Sequence, residues 1–202
     1  MARFIVLEGG EGAGKSTQAE SLAKELGAVL TREPGGTAVG EALRRLLLDP
    51  SVQPLAVRAE ALLMLAARAQ HVAEIIEPAL ASGHDVVCDR YSGSTLAYQG
   101  FGRGLPREEL ALLDRWATGG REPDLVVLLD LPVAAGRRRS MSRGPDRFED
   151  EDDEFLNRVQ AGFRQLAAAD PVRWRVVDAS HPVEEVAAAI RQAVAGQAGG
   201  NN

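Results

Sequence analysis

Cysteine is almost missing from this 202-residue chain. Cys88 is the only one, so no intramolecular disulfide can form, and the usage fits a reducing compartment. Long apolar runs are missing as well. None approaches the roughly 20 residues that span a bilayer, so no membrane association is expected. No signal peptide is visible, because Met1-Ala2-Arg3 leads at once into an apolar run, and a cytoplasmic location is expected. There is no excess of positive charge. A net charge of −6 argues against general binding to nucleic-acid backbones. The three histidines, His71, His84 and His181, fall at no metal-ligand spacing. Cys88 sits in an apolar run and reads as a buried strand residue. What remains is ordinary for a globular protein, 45% hydrophobic and 26% charged, and long enough for one domain with a layered core.

Lysine is scarce too. Of 23 basic residues only Lys15 and Lys24 are lysine. Lys15 closes the run Gly9-Gly10-Glu11-Gly12-Ala13-Gly14-Lys15-Ser16, directly after the apolar Phe4-Ile5-Val6-Leu7. The run fits Gly-x-x-x-x-Gly-Lys-[Ser/Thr], a phosphate-binding loop between a strand and a helix. Its glycines let backbone N–H groups curl around a polyphosphate. Lys15 is placed to reach the β- and γ-phosphates and Ser16 to ligate Mg²⁺, while the helix N-terminus that follows favours the anion. A chain that avoids lysine yet places one here needs a compact ammonium rather than a forked guanidinium. A GTPase is excluded by another scarcity. The only asparagines, Asn157, Asn201 and Asn202, form no Asn-Lys-x-Asp guanine motif.

Short β-type runs alternate with amphipathic stretches. Strands are expected at 4–7, 28–31, 86–88, 125–129 and 174–177, and helices at 16–26, 40–48, 56–81, 107–117, 133–142, 154–169 and 183–195. Continuously apolar strands such as Leu125-Val126-Val127-Leu128-Leu129 suit a parallel sheet covered on both faces. The pattern predicts an α/β, three-layer, doubly wound sheet of five parallel strands with a short Arg-rich lid. One domain is expected over 1–195, with the lid at about 137–150 and a disordered tail at 196–202.

Ligands in such sheets gather at the carboxyl ends of the strands, so the loops there carry the function. Thr31-Arg32-Glu33-Pro34-Gly35-Gly36-Thr37 reads as a tight turn with exposed backbone N–H groups, and Arg44 follows on the next helix. Asp89-Arg90-Tyr91 ends the third strand and places an acid where a metal or its water shell is oriented. Asp130 rivals Asp89 for that role, and Asp89 is favoured because Arg90 beside it adds a phosphate-directed charge. Ser94-Thr95-Leu96-Ala97-Tyr98-Gln99-Gly100 offers hydroxyls, a ring and an amide that can pair with a base edge, or is simply a polar loop. Met64 and Arg68 share one helix face. They suit the wall and edge of a flat ligand, or a core methionine beside a snorkelling arginine. Arg137, Arg138, Arg139, Arg143 and Arg147 surround the break Gly144-Pro145. They suit a mobile basic segment that stabilises a transferring phosphoryl group, or a basic surface helix. The acids 149–154 complement a helix dipole beginning near Asp152.

Taken in order, Glu8-Gly9-Gly10-Glu11-Gly12-Ala13-Gly14-Lys15-Ser16-Thr17, Thr31 to Thr37, Asp89-Arg90-Tyr91, Ala97-Tyr98-Gln99-Gly100, the stretch ending Asp146-Arg147-Phe148-Glu149 and the late Asp178-Ala179-Ser180 resemble bacterial thymidylate kinases, a family of P-loop nucleoside monophosphate kinases. The likeness runs from about Phe4 to Ile190. It implies transfer of the γ-phosphoryl of ATP to dTMP with Mg²⁺, and a homodimer. It implies ATP binding by Gly9, Gly10, Glu11, Gly12, Ala13, Gly14, Lys15, Ser16 and Thr17, with metal at Ser16 and Asp89. On the acceptor side, Glu11 is implied at the sugar 3′-hydroxyl, Arg90 and Arg44 at the phosphate, Arg68 and Gln99 at the thymine edge, and Tyr98 against the 2′-position, with Thr95 lining the pocket. Lys15, Arg90, Arg139, Arg143 and Arg147 are implied as the catalytic charges, and an arginine-free loop interior with an arginine-rich lid is the enterobacterial-like arrangement. One departure stands out. Met64 occupies the place where the family usually stacks phenylalanine on thymine. The remaining alternatives are a kinase for another nucleoside monophosphate or a deoxynucleoside, which Arg68 with Gln99 argues against, and a non-catalytic nucleotide sensor, which the intact lysine, hydroxyl and lid argue against.

Overall fold

A computed structural model describes residues 1–49, 51, 55–140 and 151–198. Five strands form one sheet: β1 (Phe4–Glu8), β2 (Val29–Arg32), β3 (Val86–Asp89), β4 (Leu125–Asp130) and β5 (Trp174–Asp178). Their order is β2-β3-β1-β4-β5, all parallel, with Leu7 level with Asp89 and Val6 level with Val126. The three central strands are apolar almost throughout because both their faces are covered. The edge strands β2 and β5 are partly exposed.

Helices α1 (Lys15–Leu26) and α9 (Val183–Ala198) cover one face. Ala19, Leu22, Val186 and Ile190 pack there on Ile5, Leu7, Val127 and Leu129. On the other face lie α3 (Val57–His71), a π-helical turn (Val72–Ile76), α4 (Glu77–Ala81), α6 (Arg107–Ala117) and α8 (Asp153–Ala169). Val72, Ile76 and Tyr91 pack there on Phe4 and Val86, while Phe155 and Phe163 pack with Tyr98 and Leu128. Each fully buried large side chain of this kind contributes about 1.5–3 kcal/mol. The remaining helices are α2 (Ala38–Leu48), the short α5 (Ser92–Thr95) and α7 (Val133–Ser140).

The expected architecture is present, with three differences. The single helix expected over 56–81 is interrupted by its π turn. The expected polar loop 94–100 is helical, α5 running into a second π-helical segment, Leu96–Gly102. The β2 and α2 boundaries shift by one or two residues, α2 starting early because the Thr37 side chain accepts from the Gly40 N–H at 2.9 Å. The acid expected near the start of α8 is its N-cap, Asp152, accepting from the Phe155 N–H at 2.7 Å. Most of the expected lid and residues 199–202 of the expected tail lie outside the described residues, while residues 196–198, expected to be disordered, continue α9. Among the described residues no helix is long and apolar enough to cross a membrane.

Candidate active site

Strand β1 delivers the glycine loop to the carboxyl edge of the sheet, where the chain turns into α1. Gly14 is the N-cap of α1 at φ 86°, a left-handed conformation, and provides no capping side chain. The first-turn N–H groups of α1 are thereby left for an anion. Gly12 packs backbone to backbone on Gly136 of α7, where a Cβ on Gly12 would overlap the Gly136 carbonyl and one on Gly136 the Glu11 carbonyl. Lys15 Nζ donates to the Gly10 carbonyl at 2.7 Å. Burial, with Arg90 nearby, lowers the Lys15 pKa from 10.5 to about 8.

Beside this loop, Ser16 Oγ donates to Asp89 Oδ2 at 2.6 Å. Asp89 Oδ1 is buried without a partner among the described residues, a carboxylate oxygen that fits a hard cation. Asp130 is occupied elsewhere by Arg164 at 2.9 Å and Gln160 at 3.2 Å, so geometry separates the two rival acids.

Arg90 has φ 73°, unusual for a residue with a side chain. Its backbone N–H donates to Leu7 at 3.0 Å, its carbonyl accepts the Cys88 thiol, and its guanidinium donates to Gly9 O and Ser94 Oγ. It also meets Glu11 and Tyr98, and the Tyr98 hydroxyl donates to Glu11 Oε1 at 3.0 Å. Underneath, Glu8 accepts from the Tyr91 and Ser94 N–H groups and the Ser94 hydroxyl. Burial raises the Glu8 carboxyl above its ordinary value, against those bonds and Arg90.

Across the cavity, Arg68 is 2% exposed and not a snorkelling side chain. Its Nε donates to Glu33 Oε2 at 2.7 Å and its Nη1 to Asp114 Oδ1 at 2.5 Å, with the guanidinium 5.0 Å from the Tyr91 ring centre. Burial opposes that charge, and Glu33 and Asp114 outweigh it, holding the guanidinium pKa above its usual value. Glu33 in turn meets His71 Nδ1 at 2.8 Å, and His71 Nε2 lies 2.6 Å from Thr31 Oγ1. Gln99 Nε2 donates to Glu60 Oε1 at 2.8 Å.

Among these groups lies a cavity of about 360 Å³. Glu11, Gly12, Gly14, Lys15, Ser16 and Asp89 line its loop side, and Arg44, Met64, Arg68, Arg90, Thr95, Tyr98 and Gln99 line the rest. Every expected acceptor-side residue is therefore brought to the same space. Met64 also packs against the Tyr98–Phe155 cluster, so it is both wall and core. Gly9, Gly10, Ala13 and Thr17 belong to the loop and the start of α1 without lining this cavity. The turn after β2 is less open than expected, because Glu41 accepts the Gly36 N–H at 3.0 Å and Arg44 donates to the Pro34 carbonyl. Arg139 lies away from the cavity and donates to the Ala179 and Ser180 carbonyls. Arg143 and Arg147 lie outside the described residues.

Sequence reading assigned no role in the site to Glu8, Glu33, Glu60, Asp114 and His71. Three carried a signal. Glu60, Met64 and Arg68 recur at four-residue spacing with His71 one turn further, so one face of α3 carries four polar or adaptable side chains into the interior. Glu8 is a charge at the end of a continuously apolar strand.

The thymidylate kinase family model matches residues 7–190. Thymidylate kinase of Pseudomonas savastanoi pv. phaseolicola is 50% identical over 193 residues, covering 93% of this chain and 92% of that protein. Thymidylate kinase of Desulfovibrio desulfuricans is 50% identical over 204 residues, covering 95% and 94%. The crystal structure of thymidylate kinase from Ehrlichia chaffeensis superposes with a TM-score of 0.78 at 32% identity, covering 96% of this chain and 98% of that one.

Proposed function

The chain belongs to the thymidylate kinase family, and from that membership we propose how its residues transfer the γ-phosphoryl group of ATP to dTMP. The reaction yields dTDP and ADP. The supporting observation is the shared cavity, with Lys15 and the open N-terminus of α1 at one end and the buried Arg68 and Gln99 at the other.

On the donor side the loop amides and Lys15 hold the ATP phosphates, and Lys15 exchanges the Gly10 carbonyl for phosphate oxygens. Ser16 and the open Asp89 oxygen hold Mg²⁺, which supplies charge neutralisation at the donor phosphates. On the acceptor side Arg90 and Arg44 hold the dTMP phosphate, Glu11 takes the 3′-hydroxyl, and Tyr98 occupies the space a 2′-hydroxyl needs. Thr95 and Met64 wall the base, whose edge meets Arg68 and Gln99. The acceptor phosphate is already a competent nucleophile, so no general base is assigned. Positioning and charge stabilisation carry the chemistry, with Arg143 and Arg147 supplying charge from the lid. The working form is a cytoplasmic homodimer that engages neither membrane nor nucleic acid.

ADP release measured with dTMP, dUMP, dCMP and AMP as acceptors tests this reading. The highest kcat/KM is expected with dTMP. A preference for AMP or dCMP would overturn the assignment of Arg68 and Gln99 to a thymine edge, and silence with all four would point to a nucleotide sensor.

A further inference from the structure

Gln99 is 1% exposed and lines the cavity, and its amide is held from behind by Glu60, also 1% exposed and outside the cavity lining. Glu60 Oε1 accepts from Gln99 Nε2 at 2.8 Å. The Arg103 guanidinium lies against the same carboxylate, with contacts of 3.4 Å to each oxygen, and reaches Glu151 at 2.5 Å. A carboxylate only accepts, so the amide nitrogen must face Glu60. Turning the amide over would set two acceptor oxygens against each other in a buried site, at the cost of an unmade hydrogen bond there. Gln99 Oε1 is thereby the amide atom that faces the ligand. On Arg68, Nε and Nη1 are taken by Glu33 and Asp114, which leaves Nη2 for the ligand. Arg68 and Gln99 both line the cavity, and so offer it a donor and an acceptor.

We propose that Glu60 is a positioning residue for base selectivity, fixing the polarity of the Gln99 amide so that the site accepts a pyrimidine with a ring N–H beside a carbonyl. Thymine and uracil present that pair at N3–H and O4. Cytosine presents a ring acceptor beside an amino group and is mismatched at both positions. The proposal rests on the reading that Arg68 and Gln99 face the base.

The test is the ratio of kcat/KM for dTMP over dCMP in the wild type, Glu60→Gln, Gln99→Leu and the double exchange Glu60→Gln/Gln99→Glu. In Glu60→Gln the new amide can donate as well as accept, which releases the Gln99 amide to turn. The ratio is expected to fall about tenfold, the worth of roughly one hydrogen bond. The double exchange returns an acceptor-only group to position 99 with a donor behind it, and is expected to restore the ratio to within about threefold of wild type. A merely structural role would slow both substrates alike and leave the ratio unmoved, and that result in Glu60→Gln would overturn the proposal. Gln99→Leu separates the two levels. An unchanged ratio there defeats the base-reading role of Gln99 itself, whereas a lowered ratio beside an unaffected Glu60→Gln defeats only the role of Glu60. Should Glu60→Gln fail to fold, judged by far-UV circular dichroism and ATP binding, the double exchange decides, since a folded double variant with a lowered ratio overturns the proposal.

Discussion

Lys15 is the residue whose environment has the clearest functional cost. Burial is the largest cause of its lowered pKa and Arg90 adds to it, so its ammonium loses its proton near pH 8. The sign follows directly: the group is charged below about 8 and neutral above. A neutral amine offers the ATP phosphates no charge, so kcat/KM for ATP is expected to fall as pH rises through about 8. ATP binding itself favours the ammonium, and above that pH it is expected to take up a proton, measurable by titration calorimetry in buffers of different ionisation enthalpy. Met64 is the second test at this scale. Its thioether fills the slot against the base without ring stacking, which is worth about 1 kcal/mol. Met64→Phe is expected to tighten dTMP up to about tenfold, and unchanged affinity by calorimetry would refute that account of the wall. Lys15, Arg90 and Gln99 were legible in the sequence because their motifs fix their loops. Glu33 and Asp114 were not, since a lone carboxylate in a turn or on a helix face looks the same whether it is solvated or clamped inside.

Among the elements, α7 matters most for the glycine loop, because Gly136 meets Glu11 and Gly12 with no room for a side chain. Two effects oppose each other at that position. Alanine would favour the helix by about 1 kcal/mol. Its methyl group would also overlap the Glu11 carbonyl, and overpacking typically costs 1–3 kcal/mol. The overlap is with backbone, which cannot swing aside, so it wins. Gly136→Ala is expected to lower the thermal midpoint and to weaken ATP binding, whereas a stabilised variant with unchanged ATP affinity would show that α7 does not support the loop. The strands and most helices were legible from their periods. The segment 92–102 was not, because Gly93, Gly100 and Gly102 lower its helix propensity. Those glycines are needed by packing instead: a Cβ on Gly102 would lie 2.6 Å from the Phe155 ring and one on Gly93 2.8 Å from Trp174. The π turn within 57–81 was equally hidden, since hydrophobic spacing does not report one extra residue in a turn.

For the whole molecule, the proposed homodimer makes the remaining prediction. Leu112 and Trp116 on α6 are 69% and 83% exposed, and Leu62 on α3, a helix in contact with α6, is 55% exposed. Apolar side chains so placed suit a self-complementary two-fold surface. Sedimentation is expected to give twice the chain mass of 21.5 kDa, and Trp116→Glu to shift it to the monomer. A monomeric wild type at micromolar concentration would remove the dimer from the account.

By itself the sequence determined the parallel α/β architecture and the phosphate loop. Those depend on local periodicity and on residue types whose chemistry has few substitutes. Only the tertiary structure set Asp89 beside Ser16 and Asp130 beside Arg164, made Arg68 an interior charge, and brought the Gln99 amide against Glu60. Each of those facts depends on a partner from a distant part of the chain: Ser16 for Asp89, Glu33 and Asp114 for Arg68, Glu60 for Gln99. A hydrogen bond between residues tens of positions apart exists only once the sheet and helices have brought its two ends together.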